Sequence, residues 1–332
     1  VQNDYNCLRE NRMIHIVIGT KAQLVKVAPL MLELQNKSIN YNFIFTGQHQ
    51  HTMDEIRQNF AIKDPDITLH RGKDITSIPK MFVWIIKILF MTLTKRKKIF
   101  KGDKKGIVLV HGDTFSTLLG ALMGRVARHK VAHIESGLRS FNLLHPFPEE
   151  LTRLLTFKLS HVYLCPGQWA VENLTKFKGK KINTEYNTLL DSLKRATENF
   201  DQSDVDIPEK EYCVCTTHRF ENIFNRDIFI QNLNLIEEAA KDIKVLFILH
   251  PVTEKKLIQF GLMNRLETNH NIELRPRYDY FDFMKLVYNS EFVVSDGGSN
   301  QEECFYMGKP CILLRKATER QEGIGKNVIV SE

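Results

Sequence analysis

Side chains able to move protons or hold anions recur directly after short apolar runs. The run at 13–18 is followed by Gly19-Thr20-Lys21-Ala22-Gln23, with Lys26 a helical turn later. The run at 107–110 leads into His111-Gly112-Asp113-Thr114, and the run at 130–134 into Glu135-Ser136-Gly137-Leu138-Arg139. Pro146-Phe147-Pro148-Glu149-Glu150 then precedes Arg153. In the second half, 211–216 runs into Thr217-His218-Arg219-Phe220-Glu221-Asn222, and 244–249 into His250-Pro251. The run at 292–295 ends at Asp296-Gly297-Gly298-Ser299-Asn300-Gln301-Glu302-Glu303, and 310–314 at Arg315, with Thr318-Glu319-Arg320 beyond. Taken singly, such residues have structural readings: Asp113 could cap a helix over 114–128, and Glu149 and Glu150 could complement a helix N-terminus. Together they suggest chemistry. Crowded carboxylates such as Asp113, Glu135 and Glu149 tend to have raised pKa values, which suits proton transfer near neutral pH. Lys21, Lys26 and Arg153 add positive charge, and His218 adds an imidazole. Gly297 and Gly298 permit close backbone approach, and a helix starting near Ser299 offers N–H groups to an anion. A diphosphate suits such a set. There is no Walker A loop and no GxGxxG after the first strand, so ATP hydrolysis and NAD chemistry are poorly supported.

The elements that must position these residues alternate. Apolar strands too dry for a wet face are expected at 13–18, 41–46, 107–110, 130–134 and 161–165, with helices at 114–128 and 149–159 among them. After a polar, basic stretch at 176–185 the pattern restarts, with strands at 211–216, 244–249, 292–295 and 310–314. Helices are expected at 227–242, 279–289 and 299–307. This is an α/β chain of two Rossmann-like doubly wound domains facing a cleft. The expected domains are 1–180, with 1–12 a polar extension, and 186–332, with the hinge near 176–185. Ligands in such sheets bind beyond the carboxyl ends of the strands, where the polar residues above fall.

Composition agrees. The chain has 332 residues, 43% hydrophobic and 26% charged, which excludes wholesale disorder and allows two cores. The net charge of +7 is mild and fits anionic small molecules; no nucleic-acid partner is expected. The six cysteines, Cys7, Cys165, Cys213, Cys215, Cys304 and Cys311, form no CxxC pair, so neither a disulfide framework nor a metal site is expected. With a polar N-terminal segment, this points to a cytoplasmic setting. The apolar run at 81–93 is too short to span a membrane. It reads as a buried or dimer-forming helix, with peripheral membrane contact through 81–105 as the sharper alternative, since Lys95-Arg96-Lys97-Lys98, Lys101, Lys104 and Lys105 follow it.

Several of these motifs resemble the UDP-N-acetylglucosamine 2-epimerases. They are Val110-His-Gly-Asp-Thr114, His133-Ile-Glu-Ser-Gly-Leu-Arg139, Pro146-Phe-Pro-Glu-Glu150 with Arg153, Thr217-His-Arg219 with Glu221-Asn222, and Gly308-Lys-Pro310 to Thr318-Glu-Arg320. They occur in the family's order from residue 13 to about residue 330, and they look closer to the non-hydrolysing branch. The resemblance implies the GT-B arrangement of two Rossmann domains and a cofactor-free reaction of a UDP-sugar. A base removes the C2 proton, UDP leaves C1 to give 2-acetamidoglucal, and UDP adds back after the proton returns on the other face. By motif, Asp113, Glu135 and Glu149 form the acid–base group, with Arg153, Lys26 and Lys21 supporting charge. His218, Arg219, Asp296, Gly297, Gly298, Ser299, Glu303 and Arg315 hold UDP, and Gln48 with His49 matches part of an allosteric UDP-sugar site. A homodimer and a role in surface polysaccharide biosynthesis are implied as well.

The chain departs from the family pattern in its first loop, where Gly-Thr-Arg-Pro-Glu is Gly19-Thr20-Lys21-Ala22-Gln23, and at Asp296-Gly297-Gly298-Ser299-Asn300, where Asp-Ser-Gly-Gly-Ile is expected. Gln50-His51 does not clearly complete the allosteric pattern, and the sequence stops soon after Val330, where family members continue into a terminal helix that is here either truncated or absent. A GT-B glycosyltransferase and a non-catalytic nucleotide-sugar-binding protein are the rival readings. Three carboxylates exceed what a transferase requires.

Overall fold

The computed structural model describes residues 13–48, 53–72, 74–75, 78–143 and 148–331. It divides into two compact units, Val1–Ser192 and Leu193–Glu332.

In the first unit the elements run β1 (Ile14–Ile18), α1 (Lys21–Asn36), β2 (Tyr41–Phe45), α2 (Met53–Asn59), β3 (Ile67–Thr68), α3 (Ile78–Thr94), α4 (Arg96–Ile99), β4 (Ile107–His111), α5 (Phe115–Val126) and β5 (Lys130–Ile134). They continue with α6 (Glu149–Leu159), β6 (Val162–Cys165), α7 (Gln168–Glu172), β7 (Lys180–Asn183) and α8 (Leu189–Thr197), the last of which leads into the second unit. The sheet order is β3-β2-β1-β4-β5-β6-β7, every pair parallel. Order reverses between β1 and β4, so the loops after these strands, at Gly19 and His111, open a crevice at the switch point. Helix α5 packs onto the sheet through Gly120, where a Cβ would lie 2.8 Å from a Val110 methyl and 2.9 Å from a Val17 methyl. The core on this face joins Val17, Val108, Val110, Leu119 and Val131 to Trp84 and Ile88 of α3.

The second unit contains β8 (Tyr212–Thr216), α9 (Phe220–Ile223), α10 (Arg226–Ala239), β9 (Lys244–Ile248), α11 (Pro251–Gln259), α12 (Met263–Glu267) and β10 (Ile272–Arg275). It then adds α13 (Tyr280–Asn289), β11 (Val293–Ser295), α14 (Gly298–Met307), β12 (Cys311–Leu314) and β13 (Val328–Ser331). Its order, β10-β9-β8-β11-β12-β13, repeats the topology of the first sheet, again all parallel. The switch point falls between β8 and β11, beside Thr217 and Asp296.

Both units are thus Rossmann-like, as the alternation predicts. The segment expected as the hinge, 176–185, contains strand β7, which pairs with β6, and the units part between Ser192 and Leu193. Its lysines suit an edge strand, where charge discourages further pairing. Helix α3 covers the apolar 81–93 run. It buries Trp84 and Ile88 but leaves Phe82, Val83, Ile86, Phe90 and Leu93 63–67% exposed. Among the described residues no helix is long and apolar enough to cross a membrane. Cys165, Cys213, Cys215, Cys304 and Cys311 are buried free thiols; Cys7 lies outside the described residues.

Candidate functional site

In the first unit, the turn after β5 places Glu135 in the left-handed region (φ 60°). Glu135 is 7% exposed, and its carboxylate is well partnered. Lys26 Nζ, from the second turn of α1, lies 2.9 Å from Oε1 and 3.1 Å from Oε2. Asn187 Nδ2 donates to Oε1 at 3.0 Å. His111 Nε2, at the end of β4, lies 3.3 Å from Oε2. Burial lowers the His111 imidazole to about 3, so it stands neutral beside this pair. Burial also lowers His133 to about 4. Its ring bridges two site turns, with Nε2 2.7 Å from the Gly112 carbonyl and Nδ1 3.0 Å from Ser136 Oγ.

Asp113, in the β4–α5 turn, is partly open to solvent, with its carboxylate 29% exposed. It accepts a short hydrogen bond from Arg153 of α6. Thr114, not Asp113, caps α5, which leaves the Asp113 side chain for Arg153. Arg153 also faces Glu150, whose fully buried carboxylate takes Arg139 Nε and the Ser140 amide (3.1 Å). Sequence reasoning cast Glu150 only as a helix-end charge; the structure shows it setting Arg153 and the turn after β5. Glu149 is the half-buried first residue of α6. Pro146 and Phe147 lie outside the described residues.

The departure in the first loop has a structural account. Thr20 caps α1 and Gln23 completes a capping box. Gln23 Oε1 accepts from the Gly19 and Thr20 amides (3.0 and 3.2 Å). Its Nε2 donates to the His111 carbonyl (2.8 Å) and Thr117 Oγ1 (2.9 Å). Only a neutral amide offers both an acceptor and donors here; a glutamate would set an anion against a carbonyl. Lys21 is the first residue of α1 and half-buried. Gln48 is buried, its Oε1 accepting from Ser116 Oγ (2.6 Å) and the Ser116 amide (3.2 Å). That spends the Gln48 carbonyl on the α5 N-terminus. His49, Gln50 and His51 lie outside the described residues.

In the second unit, Asp296 follows β11 and is fully buried. Its carboxylate accepts from the backbone amides of His218 and Arg219 (2.9 Å each) and from Asn222 Nδ2 (3.0 Å). It therefore organises the loop after β8. His218 Nδ1 lies 3.2 Å from Asp296, and the ring stacks on His250 at 4.6 Å while staying partly exposed. Burial lowers its pKa, with Asp296 opposing the shift. Arg219 Nε pairs with Glu221 (2.9 Å). Gly297 caps α14, and Gly298 and Ser299 form its first turn. A Cβ at Gly298 would lie 3.1 Å from Arg320 Nε and 3.4 Å from Arg315 Nη1, so two guanidinium groups cover this helix end. Arg315 is buried and its Nη2 pairs with Glu319 (3.0 Å), while Nη1 has no hydrogen-bond partner among the described residues. A buried, unanswered cationic donor beside a glycine-opened helix N-terminus fits an anion. Glu303 is 3% exposed and accepts from Asn300 Nδ2 (3.0 Å). Burial and Glu303 raise the Tyr280 hydroxyl well above its usual range.

Among the described residues one group has the spacing of metal ligands: His15, Asp103 and His129, on the first unit. Asn42 Nδ2 donates to the Ile99 carbonyl (2.8 Å) and lies 2.9 Å from His15 Nδ1. That arrangement gives His15 its proton on Nε2, aimed at Asp103 (3.0 Å). The group fits a hydrogen-bonded clamp better than a set of open metal ligands.

Comparison with known proteins bears on both halves. The family model described as UDP-N-acetylglucosamine 2-epimerase matches residues 32–331. The chain belongs to this family. The UDP-N-acetylglucosamine 2-epimerase of Methanococcus maripaludis is 35% identical over 332 residues, covering 95% of this chain and 86% of the relative. The crystal structure of the Methanocaldococcus jannaschii UDP-GlcNAc 2-epimerase in complex with UDP-GlcNAc and UDP superposes with a TM-score of 0.82 at 29% identity, covering 96% of this chain and 88% of that one. The Neisseria meningitidis enzyme bound to UDP-GlcNAc gives 0.82 at 32% identity, covering 94% and 85%. The fold of this epimerase-family chain is accordingly that of GT-B-type family members.

Proposed function

We propose that this chain is a UDP-N-acetylglucosamine 2-epimerase of the non-hydrolysing type, converting UDP-GlcNAc to UDP-ManNAc. The observation that carries the reading is the separate pairing of two carboxylates at neighbouring strand ends, Glu135 with Lys26 and Asp113 with Arg153. Inversion at C2 needs a group on each side of that carbon, one to take the proton and one to return it, and two differently held carboxylates meet that need. In the first step a carboxylate of the Asp113, Glu135 and Glu149 group takes the C2 proton. The C2–H electrons form the C1=C2 bond of 2-acetamidoglucal as the C1–O bond breaks, and UDP leaves with that electron pair. In the second step a phosphate oxygen of UDP adds to C1 and a proton returns to C2 from the opposite face. The sequence is redox-neutral and calls for no cofactor. The first turn of α14, Arg315, His218 and Glu303 are assigned to UDP, whose charge grows on departure and gains from fixed cations.

The partner assigned to the exposed face of α3 is a second copy of the chain. Five large apolar side chains on one helix face exceed scattered surface apolarity. Product release as UDP-ManNAc, use in surface polysaccharide biosynthesis and a cytoplasmic location complete the reading, supported by the family and by five buried free thiols.

Incubation of the purified protein with UDP-GlcNAc in D2O, followed by NMR, tests it. Deuterium at C2 with UDP-ManNAc as product is the expected result. Free ManNAc would identify a hydrolysing enzyme. No exchange at C2, with or without an acceptor, would overturn the epimerase reading. Light scattering tests the dimer, and monomers that bind anionic vesicles would reassign α3 to membrane contact.

A further inference from the structure

The segment after β7 carries the chain toward the second unit, which begins at Leu193. It is fastened beside the Lys26–Glu135 pair at two points. Asn187, 3% exposed, donates from Nδ2 to Glu135 Oε1 at 3.0 Å. Ser192 Oγ donates to the carbonyl of Val25 at 2.7 Å, and Val25 directly precedes Lys26. Glu135 itself holds φ at 60°, a conformation that residues with side chains seldom adopt and that persists where surrounding contacts enforce it. Lys26 supplies charge, but an ammonium on a flexible stem constrains orientation weakly. The amide N–H of Asn187 supplies direction.

We propose that Asn187 is a positioning residue for Glu135, orienting its carboxylate and favouring its ionised form. The inference rests on the epimerase reading, in which Glu135 belongs to the acid–base group. A donor to the anion favours ionisation, so removing it raises the Glu135 pKa. The placement also links the proton-transfer group to the stretch of chain that leads from one unit to the other.

The test uses Asn187→Ala, Asn187→Asp and Asn187→Ser in the full chain, with UDP affinity and thermal midpoint as checks on folding. Asn187→Ala is expected to lower kcat about 10- to 100-fold, the range for losing a hydrogen bond to a charged group. Its KM should stay within about twofold, since the lost contact does not touch substrate. The acid limb of kcat/KM should move to higher pH. Asn187→Asp keeps the size but adds a like charge, and should move that limb further. Asn187→Ser, with a shorter donor, should fall between wild type and Ala. Carbon-13 titration of the Glu135 carboxyl, assigned by its loss in Glu135→Gln, reads the same shift without turnover. An unchanged Glu135 titration in folded Asn187→Ala and Asn187→Ser would overturn the proposal. Absence of C2 exchange in the wild type would instead overturn the epimerase reading, and the carboxyl titration still decides the role of Asn187.

Discussion

Lys26 and Glu135 form a buried ion pair with side chains 6% and 5% exposed, joining the second turn of α1 to the turn after β5. Removing one partner leaves the other charge without compensation in a dry site. Lys26→Met should cost about 3–5 kcal/mol of unfolding free energy, whereas Lys26→Met combined with Glu135→Leu should cost much less. Urea unfolding of the two variants checks this. Equal losses in both would show that the pair is hydrated in solution.

Asp113→Asn and Glu149→Gln should each lower turnover about 10²- to 10⁴-fold, the range for losing general acid–base assistance. UDP affinity should stay near that of the wild type, because both residues lie in the first unit and the UDP contacts are assigned to the second. Near-normal turnover in either variant would remove that residue from the proton path.

Arg315→Ala should weaken UDP binding by about 1.5–3 kcal/mol, the worth of a charged hydrogen bond. His218→Ala and Glu303→Ala should weaken it too. Asp296→Asn should act indirectly, since Asp296 holds the His218 and Arg219 amides; a lower thermal midpoint should accompany its loss of affinity. Calorimetry showing unchanged binding in Arg315→Ala would place the diphosphate elsewhere.

Gln23→Glu restores the residue of the family pattern and should nevertheless destabilise this chain by about 1–3 kcal/mol, because the Gln23 amide donates to the His111 carbonyl and Thr117. Lys21 is half-buried and starts the same helix. If it clamps the diphosphate, Lys21→Arg should be tolerated and Lys21→Ala should lose both affinity and turnover. Wild-type kinetics in the Ala variant would limit Lys21 to a structural role.

Stability should fall on acidification below about pH 6.5. Burial holds His15 and His133 at about 4 and His111 at about 3 in the folded chain. Unfolded histidines titrate near 6.5, so between these values the unfolded state binds more protons and stability rises with pH. His133→Gln should flatten that slope in urea titrations between pH 4 and 6.5. An unaltered slope would assign the acid sensitivity to other groups.

Much of this architecture is determined locally. Dry apolar runs punctuated by glycine and polar residues mark parallel strands and their exits, so the loops after β1, β4, β5, β8 and β11 were legible from sequence. Capping at Thr20 and Thr114 is local too, and the helix expected over 114–128 starts at Phe115. The pairings were not legible. Lys26 meets Glu135 across 109 positions, and Asp113 meets Arg153 across 40. Strand order brings such partners together, and spacing along the chain carries no trace of it. The same holds for Asn187, which follows an edge strand with no apolar signal of its own, and for the division into two compact units after Ser192. Residue type alone cast Asp296 as a ligand contact and Glu150 as a helix-end charge. Their burial was not legible: a buried carboxylate must be answered by donors, and the donors that tertiary structure supplies are the amides and guanidinium groups of the site itself.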